Sequence, residues 1–386
     1  MEIKLTIARV WLYLYRFFKK FKPMPSIVAP KLGGFKKIQH ISAFNYGNAG
    51  DIVLPIVLQD LLNENISVNK WDNLHVSKSV NQKIVDKINQ NDMMVIGGGG
   101  LFLRDTNANI KSGWQWSCDV ENLRRINVPI VMFAVGYNRF RGQEDFDPIF
   151  TENLNEFVKK ASFIGIRNYG SINKIRPYLH SQELREKLTF QPCMTTIISN
   201  IYPDLTDYSQ KEDFVAFNCA FDRENLRIND ESLYYSIARV AKRISEITKV
   251  KYYSHMLTDN KILDFFDELN VPYELVEFKS PVNMLVEYAK PKLVIGMRGH
   301  AQMIPFGCNT PILSIISHDK LGYFLDDINH PEWGVDVLDK NFEKLLLQKS
   351  IDFYNNYSNH MEAVNEEQLK LLKITEYNLE KISKFL

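Results

Sequence analysis

The sequence predicts an α/β fold of two parallel-sheet domains facing a cleft, followed by a helical C-terminal segment, and three observations carry that expectation. The chain has 386 residues, more than one core of ordinary size accommodates, so two domains are expected. Short apolar runs alternate with helical patterns along most of the chain, which is the signature of βαβ units with both sheet faces covered. The glycines also cluster: thirteen lie between Gly33 and Gly170, five between Gly296 and Gly334, and none from Ser171 to Ile295. Glycine permits sharp turns and close approach to a ligand, so the two glycine-bearing regions mark the expected rims of a site.

Residues 1–34 form a basic aromatic extension in which Trp11, Tyr13, Tyr15, Phe17 and Phe18 interleave with Arg9, Arg16, Lys19 and Lys20. Within Ile3 to Lys22 the longest uncharged stretch, Val10 to Tyr15, is six residues, far short of the roughly 20 that span a bilayer. No secretory cleavage pattern follows. Two readings remain: residues 1–22 lie on an anionic membrane surface, or they pack on the protein.

The first domain is expected over 35–205, with strands at Ile38–Phe44, Met93–Ile96, Ile130–Val135 and Phe163–Ile166 and a helix at Ile52–Leu62. Pro203, Asp204, Asp207 and Ser209 suggest a linker near Asn200 to Lys211. The second domain, 206–340, has expected strands at Phe214–Cys219, Val250–Tyr253, Leu293–Ile295 and Ile312–Ile316, with helical spacing over Glu231–Ile247, Leu263–Leu269 and Val282–Tyr288. Residues 341–386 carry no strand signal and read as helices that pack back across the domains.

Composition narrows the function. Apolar residues make up 45% and charged residues 24%, a globular profile. Lys plus Arg total 47 against 46 for Asp plus Glu, so the chain lacks the basic surplus that nucleic-acid binding requires. Cys118, Cys193, Cys219 and Cys308 are widely spaced, which predicts reduced cysteines in a cytoplasmic protein and no metal site.

Four constellations fall at expected strand ends, where open α/β sheets bind ligands. Asn45-Tyr-Gly-Asn-Ala-Gly-Asp51 precedes a helix, and Asp51 stands where an N-cap would, or where a carboxylate could bind a sugar hydroxyl. The run is neither a dinucleotide fingerprint nor a Walker loop. Gly97 to Gly100 gives up much chain entropy, which points to close approach of a ligand or of another backbone, with Gly98 and Gly99 at its centre. Asp105, Trp114 and Trp116 downstream could serve a sugar as hydroxyl acceptor and stacking surfaces, or the tryptophans could be core. Val135-Gly-Tyr-Asn138 suggests a similar rim.

Arg167 follows a buried strand and requires either an internal carboxylate or an anionic substrate. The most specific run is Gly296-Met-Arg-Gly-His300: Arg298 offers a planar fork for phosphate or carboxylate, and His300 a proton near neutral pH. His318-Asp-Lys320 closes the next strand, where Lys320 can reach an anion.

The ordered set of motifs, N-x-G-D entering a helix, G-G-G, V-G, I-R-N, M-R-G-H and P-I-L-S-I-x-x-H-D-K, resembles the polysaccharide pyruvyl transferase family over roughly Ile38 to Asp326. The resemblance implies a GT-B-like fold of two Rossmann-like domains, the first on the acceptor side and the second on the donor side. It also implies transfer of a pyruvyl group from phosphoenolpyruvate, as co-substrate and with no other cofactor, to two hydroxyls of a hexose, forming a ketal. Arg298, Gly299, Arg167 and Lys320 then fall at the donor, together with Gly98 and Gly99. His300 becomes the general acid, and Asp51 and Asp105 orient or deprotonate the acceptor. That acceptor belongs to a cell-surface polysaccharide of the capsule or exopolysaccharide kind, or to its precursor, including a lipid-linked oligosaccharide that would suit a basic N-terminus at the inner membrane face. A GT-B glycosyltransferase using a nucleotide sugar and a non-catalytic carbohydrate-binding relative are the alternatives; the stretch Gly296 to Asn309 has no carboxylate for a nucleotide ribose.

Overall fold

A computed structural model describes residues 36–44, 48–104, 109–206, 210–227 and 230–386. The N-terminal extension with its expected membrane contact, and Asp105, lie outside the described residues.

Twelve strands form two six-stranded sheets. The first has β1 (Lys36–Ser42), β2 (Val68–His75), β3 (Met93–Phe102), β4 (Ile130–Tyr137), β5 (Phe163–Ile166) and β6 (Leu188–Phe190), in the order β2-β1-β3-β4-β5-β6. The second has β7 (Glu212–Asn218), β8 (Lys249–Ser254), β9 (Glu274–Glu277), β10 (Pro291–Gly296), β11 (Ile312–Ile316) and β12 (Gly334–Asp336), in the order β12-β11-β10-β7-β8-β9. All pairings are parallel. This is the GT-B-like arrangement expected from the sequence.

The central strands are the apolar runs of the sequence: β4 and β5 are buried at every position, because helices cover both faces. The helix Glu231–Ser245 shows the complementary pattern, burying Leu233, Tyr234, Ile237, Ala238, Val240, Ala241 and Ile244 while Asp230 caps its start. The strands that the sequence did not announce, β2, β6, β9 and β12, are the four sheet edges. β9 has no fully buried residue and β2 only Val68, so neither carries an apolar run.

Gly97 to Gly100 does not end a strand as expected; β3 continues through it to Phe102. The reason is packing: a Cβ at Gly97, whose φ is +151°, would lie 2.0 Å from the Phe133 carbonyl oxygen on β4. Trp114 and Trp116 are fully buried, packed on each other and on Phe102 and Phe157, and the Trp114 indole donates to Asn153 at 2.9 Å. They are core, not a sugar platform. The expected linker near residue 200 contains the helical turns Ile198–Ile201 and Pro203–Thr206.

The final helix, Tyr357–Ser383, runs back over both sheets. Asn378 donates to Phe190 O on β6 at 2.9 Å, Ser199 donates to Gln368 at 2.7 Å, and the Gln368 amide donates to Phe306 O beneath β10 and β11. Among the described residues no helix is long and apolar enough to cross a membrane.

Because the φ of Gly97 and its contact with β4 are both intolerant of a Cβ, Gly97→Ala is expected to lower unfolding stability by at least about 2 kcal/mol in urea titrations. Gly142→Ala, at φ +71° but with nothing within 4 Å, should cost roughly 1 kcal/mol.

Candidate functional site

Strand order changes direction twice, at β1 and β3 in the first sheet and at β7 and β10 in the second. The loops leaving such neighbours diverge and open a crevice, which is where open parallel sheets bind ligands. Here the two crevices face one another and enclose a cavity of about 630 Å³. Asn48, Asp51, Gly99 and Gly100 come from the first switch point, and Asp222, Arg223, Arg227, Arg298 and His300 from the second.

Arg298 is at the centre of the second group, and its charge is already matched. Its Nε donates to Asp259 Oδ2 at 2.8 Å and its Nη2 to Asp259 Oδ1, with Asp222 Oδ1 also 2.8 Å from Nη2. Asp259 is fully buried and fixed in turn by the Met256 amide at 3.2 Å. Burial opposes the Arg298 charge, and the carboxylates of Asp259 and Asp222 more than restore it. Only Nη1 is left outside these bonds, so Arg298 is a braced guanidinium rather than the free fork the sequence suggested. Burial likewise opposes the Asp222 charge, yet Arg298 and Arg227 hold this carboxyl well below the usual carboxylate range. Arg227 is 3% exposed, donates to Asp222 O at 2.9 Å and to Ser317 Oγ at 3.3 Å, and shares the Phe140 ring with Arg223.

Arg167 differs. It follows β5, its backbone N–H donates to Val135 O at 3.0 Å, and its guanidinium lies against Gly136, where a Cβ would fall 2.5 Å from Nη2. Gly136 is glycine because Arg167 needs that space. Burial pushes the guanidinium below its ordinary value, Asp51 and Asp327 act on it only from a distance, and its buried Nε has no partner among the described residues. Lys320 is similar: Nζ donates to the neutral Asn138 Oδ1 at 2.7 Å, and burial with Arg227 and Arg167 pushes it well below the usual lysine range. The same Asn138 oxygen is 3.1 Å from His318 Nε2, while His318 Nδ1 caps Lys320 N at 3.4 Å, so Nε2 carries the His318 proton.

His300 begins the helix His300–Gly307 and packs on the opposite domain, since a Cβ at Gly50 would lie 2.4 Å from its Nδ1. Its Nε2 is buried without a partner. Burial first, then Arg167, Lys320 and Arg298, push it well below the ordinary histidine value. Asp51 shows the opposite shift, pushed up to about 6 by burial against the pull of Lys320, Arg298 and Arg167. It is not the N-cap that the sequence suggested: Asn48 caps the helix Ala49–Ile66, accepting from Gly50 N at 3.1 Å, and Asp51 sits a turn inside, on the cavity wall.

Of the residues expected at the site, Asp51, Gly99, Arg167, Arg298, Gly299, His300 and Lys320 line one cavity. Gly299 faces open space, with nothing within 4 Å of a Cβ there. Gly98 does not line the cavity; it is buried behind the wall against Met194 and Leu54. Sequence reasoning missed Asp222, Arg223, Arg227, His255 and Asp259. The first three follow β7 in a stretch with no glycine, and Asp259 and His255 follow β8, whose apolar run is short. The usable signal was their position after a strand.

A model of the polysaccharide pyruvyl transferase family matches residues 48–319, from the Asn48 cap to the start of the helix that bears Lys320. The chain belongs to that family. No curated protein matches the chain. Among solved structures, UDP-GlcNAc 2-epimerase from Neisseria meningitidis bound to UDP-GlcNAc aligns with a TM-score of 0.53 at 8% identity, over 91% of this chain and 100% of that one. Anabaena Alr3699/HepE in complex with UDP and glucose aligns with a TM-score of 0.52 at 12% identity, over 90% and 100%. The UDP-GlcNAc 2-epimerase of Methanocaldococcus jannaschii gives 0.51 at 12%, over 83% and 93%. These likenesses show a shared GT-B architecture.

The Asp51 shift has a signed consequence. A carboxyl whose pKa is raised on folding stabilises the protein in acid, and that contribution is lost as pH rises through about 6. Asp51→Asn is therefore expected to melt above the parent at pH 8, with the difference shrinking towards pH 5; a pH-independent difference would show that Asp51 is not shifted.

Proposed function

We propose that this transferase takes its pyruvyl group from phosphoenolpyruvate and delivers it to a hexose of a cell-surface polysaccharide or its precursor, forming a ketal. One observation supports this above others: five cations, Arg167, Arg223, Arg227, Arg298 and Lys320, line one cavity, and the carboxylates beside them, Asp222 and Asp259, are spent on Arg298 and Arg227. Among the described residues Arg167 and Lys320 have no carboxylate in direct contact, Asp51 acting on both only from a distance, which suits a compact ligand carrying phosphate and carboxylate a few atoms apart. A nucleotide sugar would ask for a free carboxylate at its ribose, and Asp222 is not free.

Burial and the surrounding cations keep His300 neutral, since both disfavour a further positive charge. Phosphoenolpyruvate brings about three negative charges at neutral pH and reverses that field, so His300 takes up a proton as the donor binds. In our mechanism, His300 passes this proton to the methylene carbon, which becomes the methyl group. The C2 carbon gains cationic character, stabilised by the carboxylate and phosphate held by Arg167, Arg298 and Lys320. One sugar hydroxyl adds to C2 and loses its proton, the C2–O bond to phosphate breaks, and the second hydroxyl closes the ketal. Of the two hydroxyl protons, one restores His300 and the other leaves with phosphate, which balances the reaction. Asp51, raised to about 6 and so mostly a carboxylate at neutral pH, is placed to accept a hydroxyl proton.

Calorimetry tests the donor. Phosphoenolpyruvate is expected to bind the intact protein with proton uptake, read as a heat that changes with the ionisation enthalpy of the buffer. Arg167→Ala should weaken binding by at least about tenfold. No binding by the intact protein, with a response to a nucleotide sugar, would replace this reading with glycosyl transfer. His300→Asn is expected to keep donor binding and lose roughly 10²–10⁴ in turnover; near-normal turnover would remove the acid role.

A further inference from the structure

A second histidine in the cavity has no role in the scheme above. His255 follows β8, is 6% exposed, and lines the same cavity as Arg298 and His300. Its Nε2 lies 2.5 Å from the hydroxyl of Tyr288, a fully buried residue. Its Nδ1 is also buried and has no partner among the described residues. Leaving a buried imidazole nitrogen unmatched is costly, so this atom, on a residue that lines the cavity, points to a bond that something else completes.

The tautomer follows from the surroundings. Burial holds the Tyr288 phenol protonated and His255 neutral. Nε2 is the acceptor that the described residues offer the Tyr288 hydroxyl, and a hydroxyl that donates to it leaves the single imidazole proton on Nδ1. The position is equally determined. His255 precedes Met256, whose amide donates to Asp259 at 3.2 Å, and Asp259 is the carboxylate that braces Arg298. One short turn therefore sets both the Arg298 guanidinium and the His255 ring. A neutral N–H suits this place, because another cation would be repelled by Arg298 and its neighbours, whereas a neutral donor adds a directed bond without added charge.

We infer that His255 is a donor-binding residue: its Nδ1–H donates to an anionic oxygen of phosphoenolpyruvate held beside Arg298 and His300, and the Tyr288 hydroxyl fixes the tautomer that makes this possible. The inference rests on the donor reading above and adds to it a contact that neither charge nor motif announces.

Three variants and one direct measurement test it. His255→Leu keeps the bulk and removes the donor, and should weaken phosphoenolpyruvate binding about tenfold or more in calorimetry. His255→Asn places an amide N–H about where Nδ1 lies and should recover most of that loss. Tyr288→Phe leaves the tautomer unset and should fall between them. Should His255→Leu fail to fold, nitrogen-15 imidazole NMR on the intact protein decides: the His255 Nδ1–H resonance, assigned by its loss in His255→Asn, is expected to move downfield and resist exchange when phosphoenolpyruvate is added. Parental affinity in a folded His255→Leu, or an Nδ1–H resonance unmoved by saturating phosphoenolpyruvate, would overturn the inference and leave the donor reading intact. Absence of phosphoenolpyruvate binding by the intact protein would end both.

Discussion

The rest of the structure is arranged around positive charge that the protein does not neutralise itself. Bringing Arg167 and Lys320 out of water beside Arg298 and Arg227 is costly, because each is desolvated and each repels the others. A folded chain tolerates that only where the remaining contacts over-determine the positions, and the site shows how. Arg298 and Arg227 are held by Asp259 and Asp222, so they act as fixed anchors, while Arg167 has Gly136 beneath it and Lys320 donates to the neutral Asn138 beside the Phe140 ring. In the function proposed above, this arrangement holds positive charge ready for an anionic donor.

That arrangement requires the two sheets to keep a fixed relation, and the seam between them is pinned at several points. Arg141, after β4, donates to Asp319 at 2.6 Å and to Asp336 at 2.7 and 3.1 Å in the second sheet's domain. The Tyr169 amide donates to Asp327 at 3.0 Å, and Gly170 gives Tyr323 the space that any side chain would take. Gly50 does the same for His300, which is how a histidine from one domain comes to lie against a helix of the other. The C-terminal helix then ties β6 to the helix His300–Gly307 from behind. The cavity is therefore a property of the assembled pair of domains and of neither alone.

Both central sheets were legible in the sequence because a parallel strand covered on both faces is apolar along most of its length, as β4 and β5 are and as β11 is apart from Ser314. The edge strands were not, because an edge needs only one partner and one covered face, and β2 and β9 carry exposed polar residues along their length. The same logic explains the glycine run: four glycines announce that something approaches closely, but only packing shows that at Gly97 and Gly98 it is Phe133, Met194 and Leu54, with the cavity beginning at Gly99. Trp114 and Trp116 followed the opposite course, since nothing in their local sequence distinguishes a stacking platform from a core.

By itself the sequence determined the fold class, the family, and which strand ends carry chemistry, because periodicity and residue type at a chain reversal are local properties. Arg167, Arg298, His300 and Lys320 were visible on that basis. Tertiary structure decided which charges are free. Asp259 lies 39 residues before Arg298 and spends its charge on it, and Asp222 reaches the same guanidinium from another loop, whereas among the described residues Arg167 meets carboxylates only at a distance, in Asp51 and Asp327. Electrostatic pairing depends on distance and burial, which are set only when the two switch points meet, and so the division between braced and available cations could not be read from the order of the residues.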